Sequence, residues 1–305
     1  MSALVDSKSD EVDIAKRKVA LTLPSGFGLG VPPLAFLLLF FVLPVILLFF
    51  VSFLTARSFV IEYVWSTDNF TRIFASTSFW LATWVGLKNG FYTAFFSVVL
   101  SFPVAYYLVY RTKSNLILYL VLLSWFSSYL VRVYAWRTIL GTNGVINSFL
   151  VSSGIIDQPL QVILFSPFAS VLTLIHIMVP FSLLILVSAL RDVKQDYLDA
   201  ARDLGASKLA VLTKVILPMA HKGVVGSFMF TYILAAGDYI TPQLLGGREG
   251  VTSGLLIANQ FRSAGNWPLG SAMAFVMMGT FVAVYFAFTL LLRILNLAPG
   301  RRYHE

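Results

Sequence analysis

The chain contains no cysteine. That removes disulfides, iron–sulfur clusters and thiol catalysis, while saying little about compartment. Histidine is almost as scarce, at three residues in 305, and His176 has no second histidine near enough in sequence to suggest a metal pair. Only 12% of residues are charged, against about 25% in an ordinary soluble domain. Too few polar groups remain to cover a water-exposed surface around one core. Enzyme signatures are missing too: there is no H-E-x-x-H or G-x-S-x-G run and no paired acids.

The residues present are mostly apolar. Hydrophobic side chains make up 58% of the sequence, and the mean hydropathy is +0.83. The solvent of such a chain is lipid. A helix needs about 20 apolar residues to cross about 30 Å of hydrocarbon. Six segments meet that length, at 31–54, 81–110, 116–134, 165–190, 224–245 and 270–292. The expected fold class is therefore an all-α integral membrane protein with six transmembrane helices. Arg132 and Arg137 interrupt the far end of the third segment. The first has a longer apolar run than a signal peptide and is punctuated by Pro32, Pro33 and Pro44, so an uncleaved span is expected.

The formal charge of +8 is explained better by basic loops that fix orientation than by nucleic acid. Lys8, Lys16, Arg17, Lys18, Arg111, Lys113, Arg293, Arg301, Arg302 and the basic residues of 191–222 fall on one side. Arg57, Arg72, Arg132, Arg137, Arg248 and Arg262 fall on the other. This bias, with an even number of spans, places both termini in the cytoplasm. The expected division is a cytoplasmic tail (1–28), a six-helix membrane domain (29–295) that includes the connection 191–222, and a second cytoplasmic tail (296–305).

Residues 191–222 form a polar connection far longer than the usual 2–8 residues between helices. Tyr197, Ala201 and Leu204 recur at helical spacing, Asp196 can cap the helix start, and Gly205 suits the left-handed position at its end. A second short helix is expected after Ser207, with Pro218 marking a break or bend. By periodicity alone, this pattern fits insertion into a groove of another protein and resting on the membrane or beneath its own spans equally well.

The segment resembles the EAA loop of ABC importer permeases: Asp199-Ala200-Ala201, Gly205, Val215 and Leu217-Pro218 fall in its register, with Asp for Glu and Val for Ile. Residues 130–147, including Arg132, Tyr134, Trp136, Gly141, Gly144 and Asn147, look like the region after the third span of spermidine/putrescine-type permeases. Residues 237–247, with Asp238, Tyr239 and Pro242, look like the end of their fifth span. The resemblance implies the type I importer (MetI-like) arrangement. It also implies ATPase coupling through Asp199, Ala200, Ala201, Gly205, Leu217 and Pro218. No phosphate-cradling G-x-x-x-x-G-K-[ST] loop is present. ATP and magnesium are therefore expected on a partner, and this chain itself needs no cofactor. The implied partners are a second related permease, two ABC ATPase subunits, an extracytoplasmic solute-binding protein and membrane lipid. A polyamine is the first expected solute, with other small amines, amino-acid derivatives and opines as alternatives. An ion-coupled secondary transporter is a further class; it would not require the loop's spacing.

Charges within spans are costly, at about 2.5–3.5 kcal/mol on insertion scales. Asp238 and Lys88 are each expected roughly 12 Å below the outer surface, counting about 1.5 Å per residue. Both are expected to face the protein interior, with each other as one candidate pairing and Arg132 or Arg137 as other partners for Asp238. Tyr134 and Trp136 fit either an outer vestibule, where aromatic faces hold ammonium groups, or the ordinary aromatic belt of a membrane interface. His176, beside Pro180, is expected to be a packing residue.

Overall fold

The computed structural model describes residues 27–57, 59–160 and 163–294. The tails expected at 1–28 and 296–305 lie outside them, apart from residues 27 and 28 at the start of the first helix. The chain divides between Phe50 and Val51 into two units. In the first, α1 (Phe27–Leu37) passes through a π-helical segment, Leu38–Val42, into α2 (Leu43–Val51). The Leu43 N–H reaches back to the Leu38 carbonyl, and the next residue is Pro44. Proline has no N–H, and its ring clashes with the carbonyl four residues back. One widened turn moves that carbonyl aside, and the helix continues.

The second unit begins with a two-stranded antiparallel hairpin, β1 (Thr55–Arg57) and β2 (Val60–Glu62), pairing Thr55 with Glu62 and Arg57 with Val60. It is followed by α3 (Asp68–Ala75). The buried Asn69 amide donates to the carbonyls of Ser52 (3.0 Å) and Leu54 (2.8 Å), tying α3 to the chain before the hairpin.

The central packing unit consists of α4 (Thr77–Tyr110), α8 (Pro167–Arg191) and α11 (Leu217–Ala236). One face of α4 carries Ala82, Gly86, Gly90, Ala94, Ser97, Ser101 and Ala105, all buried. Lipid tails are as apolar as Leu, so close backbone approach and interhelical hydrogen bonds drive such helices together. A Cβ on Gly90 would lie 2.6 Å from the Cβ of Ala236, and one on Gly223 would collide with Ala189. Ser101 donates to the Val179 carbonyl at 3.2 Å, and the Tyr110 hydroxyl to that of Leu190 at 2.8 Å, which fixes α4 against α8. Ser182 and Ser227, both fully buried, share a 2.9 Å hydrogen bond between α8 and α11. Ser227→Ala is expected to destabilise the bundle by about 0.6 kcal/mol, the average for such pairs. A double-mutant cycle with Ser182→Ala, read by unfolding in detergent, measures the coupling.

Two expected spans differ in the structure. The third is not one helix: α5 (Leu116–Trp125) and α6 (Tyr129–Leu140) meet at a 91° bend, and α7 (Val145–Ser152) continues the second arm. Ser124 and Ser127 donate to the carbonyls of Val121 and Ser124 at the bend, so side chains compete there with the helical ladder. Among the described residues, five helices are individually long and apolar enough to cross a membrane. The bent pair makes a sixth if it counts as one broken span.

The fifth span is also displaced. The helix begins at Lys208 as α10 (Lys208–Val211), widens through a second π segment, Leu212–Ile216, and runs on through α11 to Ala236. The expected break at Pro218 is absent. The Leu217 N–H bonds the Leu212 carbonyl just before the proline, the same solution as at Pro44. The chain then turns at Gly237 into α12 (Ile240–Leu245). An outer helix, α13 (Ser253–Arg262), precedes the last span, α14 (Trp267–Ile294).

Candidate coupling loop and translocation pathway

The connection after α8 folds into α9 (Gln195–Asp203). Its anchor is Leu198, which is 0% exposed and lies in a cluster with Leu190, Val193, Val211 and Ile216. Burying a leucine side chain is worth about 1.5–3 kcal/mol, enough to hold a short helix against the span ends. The helix closes with a Schellman arrangement: Gly205 N–H bonds the Arg202 carbonyl at 2.8 Å, and Ala206 N–H that of Ala201 at 3.0 Å. Gly205 has φ +80°, a conformation L side chains rarely adopt. Ser207 then caps α10, accepting from the Ala210 N–H at 3.2 Å.

The expected stripe divides. Ala201 is half-buried against the cluster, whereas Tyr197 is half exposed and Leu204 is 89% exposed. Asp196 is in the first turn, and Lys194 holds the cap position. Asp199 accepts from Gln195 (3.0 Å) and Arg202 (2.7 Å) on the exposed side, beside exposed Ala200 and Gly205. Leu217 is half-buried and Pro218 exposed, both immediately after the π segment. Among the described residues, nothing covers the apolar side chains of Tyr197, Leu204 and Leu209. The loop is rigidly based and bare at its tip.

At the other end of α11, Asp238 sits in the turn just beyond the helix, not within it as the span assignment implied. Its carboxylate accepts from the Tyr129 hydroxyl at 2.7 Å and from the Thr241 N–H at 2.9 Å, and the Thr252 hydroxyl donates to its backbone carbonyl at 3.2 Å. Tyr129, 109 residues away in sequence, is the partner that sequence reasoning missed, and nothing local could have indicated it. Arg132, one turn along the same face of α6, is 7% exposed, and its Nε and Nη1 have no hydrogen-bond partner among the described residues. Among the described residues, no ion pair joins Asp238 to Arg132, Arg137 or Lys88. Trp136 donates through Nε1 to His176 Nδ1 at 3.1 Å, and Tyr134 is exposed. The neighbouring motif glycines and Asn147 are structural: the Asn147 amide donates to the carbonyls of Gly141 and Leu160 and accepts from the Leu160 N–H.

Lys88 is exposed at the edge of a cavity of about 430 Å³ between α4, α11 and α14, lined by Trp84, Phe91, Tyr92, Phe228 and Tyr232. Tyr239 lines a separate cavity of about 490 Å³ against α13 and α14. The structure therefore groups Asp238, Tyr129 and Arg132 about α6 and α12. It places Lys88 and Tyr239 at two other cavities.

The model of the family described as "binding-protein-dependent transport system inner membrane component" matches residues 25–298. The spermidine/putrescine transport system permease protein PotB of Escherichia coli is 32% identical over 256 residues, covering 82% of this chain and 92% of that protein. Among solved structures, a chain of a bacterial ABC transporter involved in import of the acidic polysaccharide alginate superposes with TM-score 0.67 at 19% identity. It covers 88% of this chain and 95% of that one. A chain of the MetNI methionine ABC transporter gives TM-score 0.54 at 17% identity, covering 72% and 98% respectively.

Proposed function

This chain belongs to the family of inner membrane components of binding-protein-dependent transport systems, and on that premise we propose how it is driven and what it carries. It is the multi-pass permease of an ABC importer, a transport subunit rather than an enzyme. The observation that carries the mechanism is the bare tip of the 191–222 connection. Its base is locked by Leu198, while Leu204, Tyr197 and Ala200 present an apolar surface that the described residues leave uncovered. That surface inserts into a cleft of an ATPase subunit, where ATP and magnesium reside. Asp199, Ala200, Ala201 and Gly205 form the contact, and Leu217 and Pro218 join it to the fifth span. A second, related permease, two ATPases and an extracytoplasmic binding protein complete the assembly.

Both termini lie in the cytoplasm, with residues 116–152 counted as one broken span. The placement of Lys and Arg supports this orientation. The absence of cysteine makes the test clean. In intact cells, Ser263→Cys is expected to react with a membrane-impermeant maleimide, and Ser207→Cys only after permeabilisation. The reverse pattern would overturn the orientation.

The solute is a small amine, with polyamines first, as the names of the 30–32% identical relatives indicate. Asp238 supplies the negative charge along the pathway, held in place by Tyr129 and Thr241. Asp238→Asn keeps the side chain's size and removes its charge. Uptake of radiolabelled putrescine is expected to fall about tenfold, as for loss of one charge-assisted hydrogen bond, with membrane level unchanged. Because Lys88 lies at a separate cavity, Lys88→Met is expected to add to that loss rather than restore it. Unaltered uptake in Asp238→Asn would remove Asp238 from the pathway.

A further inference from the structure

At the foot of the lever that the 191–222 connection forms under the proposed function, a cavity of about 230 Å³ is lined by Tyr106, Tyr110, Arg111, Gln195, Arg202, Lys208 and Val211. Three cations converge there from three separate segments: the end of α4, the last turn of α9 and the first residue of α10. Arg202 is engaged with Asp199 at 2.7 Å. Arg111 and Lys208 have no acidic partner within ion-pair distance among the described residues. Lys208 is also the first residue of the long helix, so the positive end of its dipole adds to the local potential. Arg111 and Lys208 are both exposed, and two cations without an acidic partner, beside a third, make this cavity favourable to an anion.

The position selects its source. Tyr110 is the last residue of an apolar span, and exposed Tyr107, Leu116 and Ile117 lie close to it in sequence, offering apolar surface near the cavity's end of that span. A phosphate with acyl chains attached satisfies both the pocket and this surface, whereas free phosphate satisfies only the first. We propose that this cavity holds the phosphate headgroup of an anionic phospholipid of the cytoplasmic leaflet, seated between the lever and the α4–α8 pair. The assignment to that leaflet rests on the orientation proposed above; the binding itself does not.

The test uses the assembled importer in nanodiscs of phosphatidylcholine with or without phosphatidylglycerol. Retained lipid is read by native mass spectrometry after detergent extraction. Wild type is expected to retain phosphatidylglycerol over phosphatidylcholine. The Arg111→Gln/Lys208→Gln variant is expected to bind it about thirtyfold more weakly, as loss of two near-surface charges implies. In wild type, phosphatidylglycerol should also raise binding-protein-stimulated ATP hydrolysis, and the double variant should lose that response. Equal retention of the lipid by both proteins would overturn the site. So would displacement of the bound lipid by millimolar inorganic phosphate, which would assign the pocket to a free anion. Reversed maleimide labelling would instead refute only the leaflet, leaving the lipid measurement to stand.

Discussion

A chain carrying Asp199→Lys and Leu204→Asp is expected to leave its ATPase subunits behind on purification while its spans remain folded. Both side chains are exposed, so the substitutions should change the chain's own stability by no more than about 0.5 kcal/mol. At an interface the arithmetic differs. An aspartate forced into an apolar cleft is desolvated without a partner, and hot-spot losses of about 2–4 kcal/mol correspond to thirty- to thousandfold weaker association. Co-purification from membranes, with thermal unfolding of the permease as control, separates the two effects. An ATPase that stays bound and fully coupled would end the lever reading. Leu198→Asp offers the contrast. Its side chain is wholly buried, so it should release the ATPase only by unfolding the loop's base, with loss of thermal stability as well.

The second large effect is expected inside the membrane. Gly223→Leu places a branched side chain where even a Cβ would overlap Ala189. Overpacking of this kind costs about 1–3 kcal/mol, and more where backbones are already in contact. The α8–α11 pair should separate, and the protein should elute as aggregate in size-exclusion chromatography. The milder Gly223→Ala should be damaging alone and largely recovered by Ala189→Gly, which returns the lost volume. Absence of recovery would mean that the glycine serves something other than close approach.

The extent to which the sequence foretold these features follows from the range of the interactions. The fourth and sixth spans were legible because long apolar runs ended at polar turns. Ser166 accepts from the Ala169 N–H at the start of α8, as a capping serine should. The loop was legible from Gly205, whose left-handed φ is a local demand. The bend between α5 and α6 was not, because no proline or glycine marks it; only the serines at 124, 127 and 128 do. Of the break or bend expected at Pro218, the break is absent, because a widened turn, which a proline rule leaves out, accommodates the missing N–H. The same device at Pro44 shows that the sequence carried the pattern twice. The stripe of small residues on α4 was not among the expected features, although Gly86, Gly90 and Ala94 recur there at helical spacing. The Tyr129–Asp238 contact was not legible, since it joins distant segments that only packing brings together.

The displaced start of the fifth span has a mechanical consequence. From Lys208 to Ala236 the chain is a single helix of 29 residues, about 44 Å long at about 1.5 Å per residue. The surface proposed to receive the ATPase abuts one end, and Asp238 lies two residues past the other. Under the proposed coupling, a push delivered at Leu204 would need no relay of side chains to be felt at Asp238. It would travel as the displacement of one rod, with the wide turn before Pro218 as a joint. In the proposed orientation that joint lies on the cytoplasmic side, so the stroke could change direction there before it enters the bilayer.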